Sequence, residues 1–345
     1  MRTLYKTSKC SLYELPRFKE VRRLLVTTPE TRAISNDPFI LGTDYTDLLK
    51  KGMVRLFHAL AAVGFFVGEE ALAVILNILR GGLNFGLRGA LKRSHGWTRT
   101  RSAFISSQRA KNKKGDWIIR EDNYKKIPIV AGACLFVADV VATGKSLERA
   151  LNKLVTTYCR KKKPIRKIIF VTIGGARAEA IMAKIDARCR RCFGRKYRGA
   201  TVIYVEGVFG VANKRSKLTI AIPGTDLLRT DPYRRPATLA PEFIASMLKK
   251  PSYSLERCAI YDAGSRANEY DEFVLDVWKY WWQVKWLAIL GMTYLEYLRE
   301  RYPEDARLKS GRYPKKWDTS AFLFQVAEEQ LEKAARAMAA CTYLP

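Results

Sequence analysis

The sequence predicts an α/β protein built on an open, mostly parallel sheet, and three observations carry that prediction. Short β-branched apolar runs recur through the middle of the chain: "ALAVILNI" (71–78), "ACLFVADVV" (133–141), "KIIFVTI" (167–173), "ATVIYVEGVF" (200–209) and "KLTIAI" (217–222). The first three stop at glycine-bearing stretches, "LRGGLNFG", "ATGKS" and "GGARAEA". Helical periodicity follows in "SLERALNKLVTTYC" (146–159) and "ARAEAIMAKIDAR" (176–188). Runs that are apolar throughout belong to strands covered on both faces, and strand–helix–strand succession is the crossover of parallel pairing. In such sheets a ligand sits outside the carboxyl ends of the strands, where these glycine loops fall.

The flanks read differently. Residues 1–65 are expected to form a mostly helical extension with a loop near "TTPETRAISNDPF", 66–235 the α/β domain, and 236–345 a helical C-terminal region. In that last region "DEFVLDVWKYWWQVKWLAILGMTYLEYLRERY" (271–302) lacks strand alternation, and "TSAFLFQVAEEQLEKAARAMAA" (319–340) opens on a Thr-Ser cap signal. Trp278, Trp282 and Trp286 fall at four-residue spacing on one helix face. A packed face, inside the chain or against a second copy or protein partner, is the expected reading, and a base-stacking platform is the alternative.

Charge narrows the partners. The chain of 345 residues has 62 Lys and Arg against 33 Asp and Glu, a formal charge of +29. Self-repulsion on that scale is relieved by an anionic partner, and nucleic acid is the expected one. Basic residues gather in 88–126, in "RKKKPIRK" (160–167) and in "RCRRCFGRKYR" (188–198). A solvated basic surface is the plainer alternative. The longest apolar run, Ala59 to Val67, is about half a membrane span. The N-terminus has no apolar segment of signal-peptide type, so a soluble, cytoplasmic protein without a membrane partner is expected. Seven scattered cysteines imply no disulfide framework. Cys189 and Cys192 form one C-x-x-C without a second pair at zinc spacing, and they read as half-buried thiols beside a basic turn.

Gly144-Lys145-Ser146 resembles the end of a triphosphate-binding loop, but that loop needs a glycine separated by four residues from the Gly-Lys pair. Here that position is Asp139, so the wide loop cannot be built. A strand followed by one acidic residue and then Thr-Gly-x-Ser opening a helix is a different design. The N–H groups of Thr143, Gly144, Lys145 and Ser146 would form one small bowl at a helix N-terminus, suited to a phosphate monoester. Asp139 just upstream would stand at sugar-hydroxyl distance, so a ribose 5-phosphate fits the site.

"FVADVVATGKSLERAL" resembles the phosphoribosyl-pyrophosphate (PRPP) motif of type I phosphoribosyltransferases, and "AVILNILRGGLNFGLRGAL" (73–91) resembles their pyrophosphate loop. "KIIFVTIGGARAEAI" is similar to their next strand and loop. The resemblance covers about residues 66–230 and implies an open sheet of that family's kind, Mg²⁺, and transfer of a phosphoribosyl group to a base or base-like acceptor. It implies that Arg80, Gly81 and Gly82 hold pyrophosphate, Thr143 to Ser146 the 5-phosphate, and Asp139 the ribose hydroxyls, directly or through Mg²⁺; Asp139 and Arg80 are then the catalytic pair. It places the family's lid in 99–124, with Arg101, Ser106, Ser107 and Arg109 as contacts. A base-binding hood is expected in "IPGTDLLRTDPYRR" (222–235), with Asp226 and Tyr233; "IYDAGSR" (260–266) is the second candidate. The sequence departs from the family at Ala138, where the first of two ribose-binding carboxylates should stand, and at Ala142, a carboxylate in the purine enzymes. The alternative is therefore a catalytically weakened sensor of PRPP or a nucleotide, or a scaffold, that binds RNA or DNA within a multi-protein system such as phage defence.

Overall fold

The computed structural model describes residues 1–37, 39–40, 42–65, 67–79, 81–106, 108–111, 117–121, 125–141, 144–209, 238–249, 267–301 and 314–342. The chain opens with β1 (Arg2–Lys6), β2 (Ser11–Phe18) and β3 (Val21–Thr27), then α1 (Pro29–Asn36) and α2 (Gly42–Ala62). Next come β4 (Ala73–Leu79), α3 (Leu87–His95), β5 (Arg101–Ser106), a hairpin of β6 (Gln108–Lys111) and β7 (Trp117–Glu121), and β8 (Lys125–Lys126). The centre is β9 (Ala133–Val141), α4 (Lys145–Arg160), β10 (Ile165–Gly175), α5 (Arg177–Phe193) and β11 (Ala200–Phe209). The C-terminal part holds β12 (Thr238–Leu239), α6 (Pro241–Lys249), α7 (Ala267–Ile289), α8 (Tyr294–Arg301) and α9 (Ser320–Thr342).

The main sheet runs β1-β2-β3-β11-β10-β9-β4-β5-β8, with β12 paired to β11. From β3 to β5 every neighbouring pair is parallel. The fold class is thus an open, mostly parallel α/β sheet. Strands β9, β10 and β11 are buried nearly throughout, as apolar runs covered on both faces must be. On one face Phe57 of α2 meets Phe136 of β9 edge-on at 6.0 Å. Helices α4 and α5 pack against each other, and α5 also packs against β10 and β11.

The N-terminal part corrects the expectation of a mostly helical extension. Three strands come first, and β3 lies parallel beside β11, with Thr201 opposite Arg22 and Val205 opposite Val26. Residues 1–65 therefore belong to the same sheet as the domain that follows. The strands hide because arginines and glutamates interrupt them: in "VRRLLVT" only Arg22 and Arg23 are not buried, one paired with Glu14 and the other with Glu179.

In the C-terminal part, the stretch 271–302 is helical in two pieces: α7 ends at Ile289, and Gly291 takes a left-handed φ of +97° before α8 starts. Thr319 caps α9, its Oγ1 accepting from Phe322 N at 3.3 Å. Val277, Trp281, Val284 and Ala288 form the buried stripe of α7. Of the tryptophan stripe, Trp278 packs partly against the core, while Trp282 and Trp286 face the other way, 36% and 57% exposed. No described helix is long and apolar enough to cross a membrane.

Candidate functional site

From β4 the chain moves outward to β5; from β9, on the other side of β4, it moves the opposite way to β10 and β11. The carboxyl ends of β4 and β9 therefore flank the point where strand order reverses, and that crevice is where open α/β sheets bind ligands. The two loops predicted to hold phosphate leave these two strands.

After β4 the chain tightens into a 3-10 turn, Gly81–Phe85, which packs on both β4 and β9. Gly82 is required by that closeness: a Cβ there would lie 2.9 Å from the carbonyl oxygen of Ala138 and 3.6 Å from Asn77 Cα. After β9, Gly144 starts α4 in the left-handed region, φ +69°. A Cβ on Gly144 would stand 2.3 Å from Ile181 Cδ1 of α5, so shape as well as φ demands glycine. Glu148 N donates to Gly144 O at 2.9 Å, the first hydrogen bond of the helix. The N–H groups ahead of it point out of the helix end, with no carbonyl inside the helix to receive them. They give the end its partial positive charge. The third loop closes the same corner. A Cβ on Gly174 would lie 2.4 Å from Val141 O, so β9 and β10 run together to their ends with only backbone between them.

Asp139 is half-buried near the end of β9, and its Oδ1 accepts from Val140 N at 2.9 Å. Strand alternation puts it on the face of Val141, whose Cγ1 lies 3.4 Å from the Cβ position of Gly144. Ala138 takes the opposite face with Phe136 and is 1% exposed. Asp139 is thus on the helix α4 side of the sheet and Ala138 on the α2 side.

Gly81, Gly82, Asp139, Gly144, Lys145 and Ser146 share this end of the sheet. Ser106 joins them, since it pairs with Leu79 at the carboxyl end of β5. Arg101 does not. It opens β5 opposite Val74, at the far edge, and its guanidinium donates to the carbonyl of Ala71. The expectation that it touches a ligand is corrected: the segment starts as a sixth parallel strand, in which alternate side chains are buried. Arg109 lies on β6 of the hairpin. Arg80, Thr143, Ser107, Asp226, Tyr233 and the "IYDAGSR" stretch lie outside the described residues.

Two features went unread in the sequence. Glu206 on β11 is fully buried at a φ of +62°. It accepts from Thr27 Oγ1 at 2.6 Å, from Thr28 N at 3.1 Å, and from Thr31 Oγ1, so it clamps the start of α1 to the sheet. Burial pushes its carboxyl up to about 7. The glutamate in "VIYVEGVF" was the available signal, an acid inside an apolar run. The second feature is a disulfide from Cys192 to Cys159, which ties the end of α5 to the end of α4 across a Cα separation of 6.1 Å. This corrects the reading of Cys192 as a thiol; Cys189 is a buried free thiol, raised to about 12 by burial. No group of three or more His, Cys, Asp or Glu side chains fit to hold a metal occurs among the described residues.

No family model and no curated protein matches the chain. Solved structures match parts of it. The chain is similar to a purine phosphoribosyltransferase from Pyrococcus horikoshii Ot3, with 19% identity over 39% of this chain and 75% of that one, at a TM-score of 0.24. It is similar to a hypoxanthine phosphoribosyltransferase from Staphylococcus aureus, with 15% identity over 61% and 95%, at 0.27. A third likeness is to the Trypanosoma cruzi hypoxanthine enzyme in complex with IMP, with 16% identity over 58% and 91%, at 0.26. At these values the likenesses bear no weight of their own, and the strand order and loop geometry stand by themselves.

Proposed function

We propose that the chain binds PRPP at the reversal point of its sheet and transfers the phosphoribosyl group to a ring nitrogen of a base or base-like acceptor. One observation carries this reading: a glycine-tight turn after β4 and a left-handed glycine opening α4 after β9 lie side by side, with Asp139 on the α4 side. A ribose carrying a phosphate at one end and a pyrophosphate at the other would engage both loops at once. The 5-phosphate takes the N–H groups from Thr143 to Ser146, the ribose hydroxyls take Asp139, and the pyrophosphate takes the bare backbone of Gly81 and Gly82 with Arg80. In the reaction the bond from C1 to the pyrophosphate oxygen breaks, the bond from C1 to the base nitrogen forms, and the nitrogen's proton leaves to solvent. Positioning and charge neutralisation of the leaving group provide most of the acceleration.

One protein carboxylate plus the oxygens of a diphosphate suits Mg²⁺, which keeps its waters and substrate ligands rather than an all-protein cage. Asp139 would be the protein's oxygen donor, and the ion would supply charge neutralisation at the pyrophosphate. The test is release of pyrophosphate from PRPP and Mg²⁺ over a panel of purine, pyrimidine and other ring-nitrogen acceptors. Release that depends on one acceptor supports transfer. Ala138 favours the second reading, a nucleotide sensor or scaffold, because an apolar side chain stands where the second ribose carboxylate is expected. PRPP binding without release on any acceptor selects that reading.

A further inference from the structure

We propose that the opposite edge of the same sheet, at the amino ends of β9, β10, β11 and β3, is a binding face for the phosphodiester backbone of nucleic acid. Parallel strands put all their amino ends on one edge, and the crossover helices α4 and α5 run back to deliver their C-termini there. Two basic stretches that are separate in sequence therefore meet. The Cys159–Cys192 disulfide joins the helix ends, so 160–163 lies against 190–196. Lys161, Lys162, Lys163, Arg191, Arg195 and Lys196 are all exposed. The turn between β2 and β3 adds Lys19 at the same edge, since β3 runs parallel to β11.

The acids nearby do not cancel this charge. No Asp or Glu occurs in 160–178 or 187–200. Asp186 is 2% exposed and already receives Arg190 Nε at 2.7 Å and Ala200 N at 2.9 Å. Glu14 is held by Arg2 and Arg22, and Glu69 stands 3.6 Å from Arg166. Glu20, on the turn that carries Lys19, and Glu69 are the exposed acids near this edge, and Glu69 is the one paired with Arg166. A second observation points the same way. Lys19 and Lys162 sit at φ of +53° and +50°, where glycine is the favoured residue, and at both turns the chain carries a cation instead.

The chemistry selects nucleic acid over a lipid surface. Membrane-surface binding uses apolar anchors beside its cations. Of the exposed large apolar side chains among the described residues, Met1 at the amino end of β1 is the one on a strand of this sheet edge; the others are Leu83, Leu290 and residues of α7 and α9. Of the aromatics in the patch, Tyr197 is 4% exposed and Phe193 is half-buried against the core, so no fully exposed ring is offered for base stacking. The face reads backbone charge without base sequence.

The test is fluorescence anisotropy of labelled mixed-sequence RNA and DNA on the full chain stripped of carried-over nucleic acid. Wild type is expected to lose binding steeply between about 50 and about 200 mM salt. Lys161→Glu, Lys162→Glu, Arg191→Glu and Lys196→Glu together are expected to weaken binding about 100-fold and flatten the salt slope. A control with the same total charge, Lys9→Glu, Lys51→Glu, Lys315→Glu and Arg336→Glu, is expected to stay within about threefold of wild type. Thermal melts verify folding, and the matching four-fold Gln variant replaces the Glu one if that fails to fold. Equal losses in both sets would assign binding to diffuse charge and overturn the proposal. So would wild type that ignores both polymers, or binds anionic vesicles as tightly. The outcome is separate from the PRPP reading, because none of the four residues lies at the phosphate loops.

Discussion

The two edges of one sheet offer a phosphate opposite kinds of surface. At the carboxyl ends the chain offers almost no side chain: Gly82 leans on the carbonyl of Ala138, Gly174 on that of Val141, and Gly144 on Ile181. At the amino ends it offers long cations on helix termini and turns, Lys161 to Lys163 and Arg195 to Lys196, within stretches 160–178 and 187–200 that hold no acid. Bare backbone with fixed N–H groups suits one small anion and is intolerant of any added atom. Flexible ammonium and guanidinium groups sum their charge over a polymer and tolerate single changes. The parallel strand direction dictates which edge can be which, because helix N-termini gather at one end and helix C-termini at the other.

The sharpest break in this comparison is Gly144→Val. The new side chain meets Ile181 and forces a left-handed φ on a β-branched residue, so PRPP affinity is expected to fall at least about 100-fold while nucleic-acid binding stays unchanged. Gly144→Ala with Ile181→Ala removes the clash and keeps only the backbone strain, and part of the affinity is expected back in the same titration.

Glu206 sharpens the comparison from the stability side, since it is a buried acid at the carboxyl edge. Its pKa is raised in the folded chain from 4.5 to about 7. The folded state then holds a proton that the unfolded state releases, so stability is full below about 4.5 and declines as the pH rises through about 7. The loss amounts to about 3 kcal/mol. Thermal melts from acid to neutral pH are expected to show that decline in wild type and a flatter profile in Glu206→Gln.

A smaller effect is expected at Asp139. Asp139→Asn keeps the size and the hydrogen bond from Val140 N but removes the charge, so Mg²⁺-dependent strengthening of PRPP binding is expected to drop about tenfold, with Mg²⁺-free binding little changed. The smallest is at the edge residue Arg101. Arg101→Gln is expected to leave PRPP affinity within about twofold, because the guanidinium is occupied by Ala71 on the far edge.

Much of the centre was legible in the sequence. Strands β9 and β11 fall on the apolar runs 133–141 and 200–209, and α4 and α5 on the periodic segments that follow the glycine loops. Those signals survive because a strand covered on both faces has no polar position to blur it. The N-terminal strands did not show, since β1 is an edge strand with exposed residues and β3 carries two arginines whose partners, Glu14 and Glu179, come from other elements. Arg101 was misplaced for a related reason: "RSAFIS" alternates, but it begins inside a run of Thr, Arg and Ser that reads as loop. The pairing of Cys159 with Cys192 was illegible because 33 residues separate them, and only the packing of α4 on α5 brings them together. The glycine loops were legible because each follows an apolar strand directly, where close packing leaves no room for a Cβ.

The central claim is that the reversal point of the sheet is a PRPP site. Isothermal titration calorimetry of PRPP, with and without Mg²⁺, on wild type and Gly144→Val tests it most directly. Saturable binding to wild type, strengthened by Mg²⁺ and absent from a folded Gly144→Val, is the predicted result. A nucleic-acid-free wild type that shows no heat of binding would contradict it. Transferase and PRPP-sensor readings would then both fall, and the basic edge would remain as the working surface of the molecule.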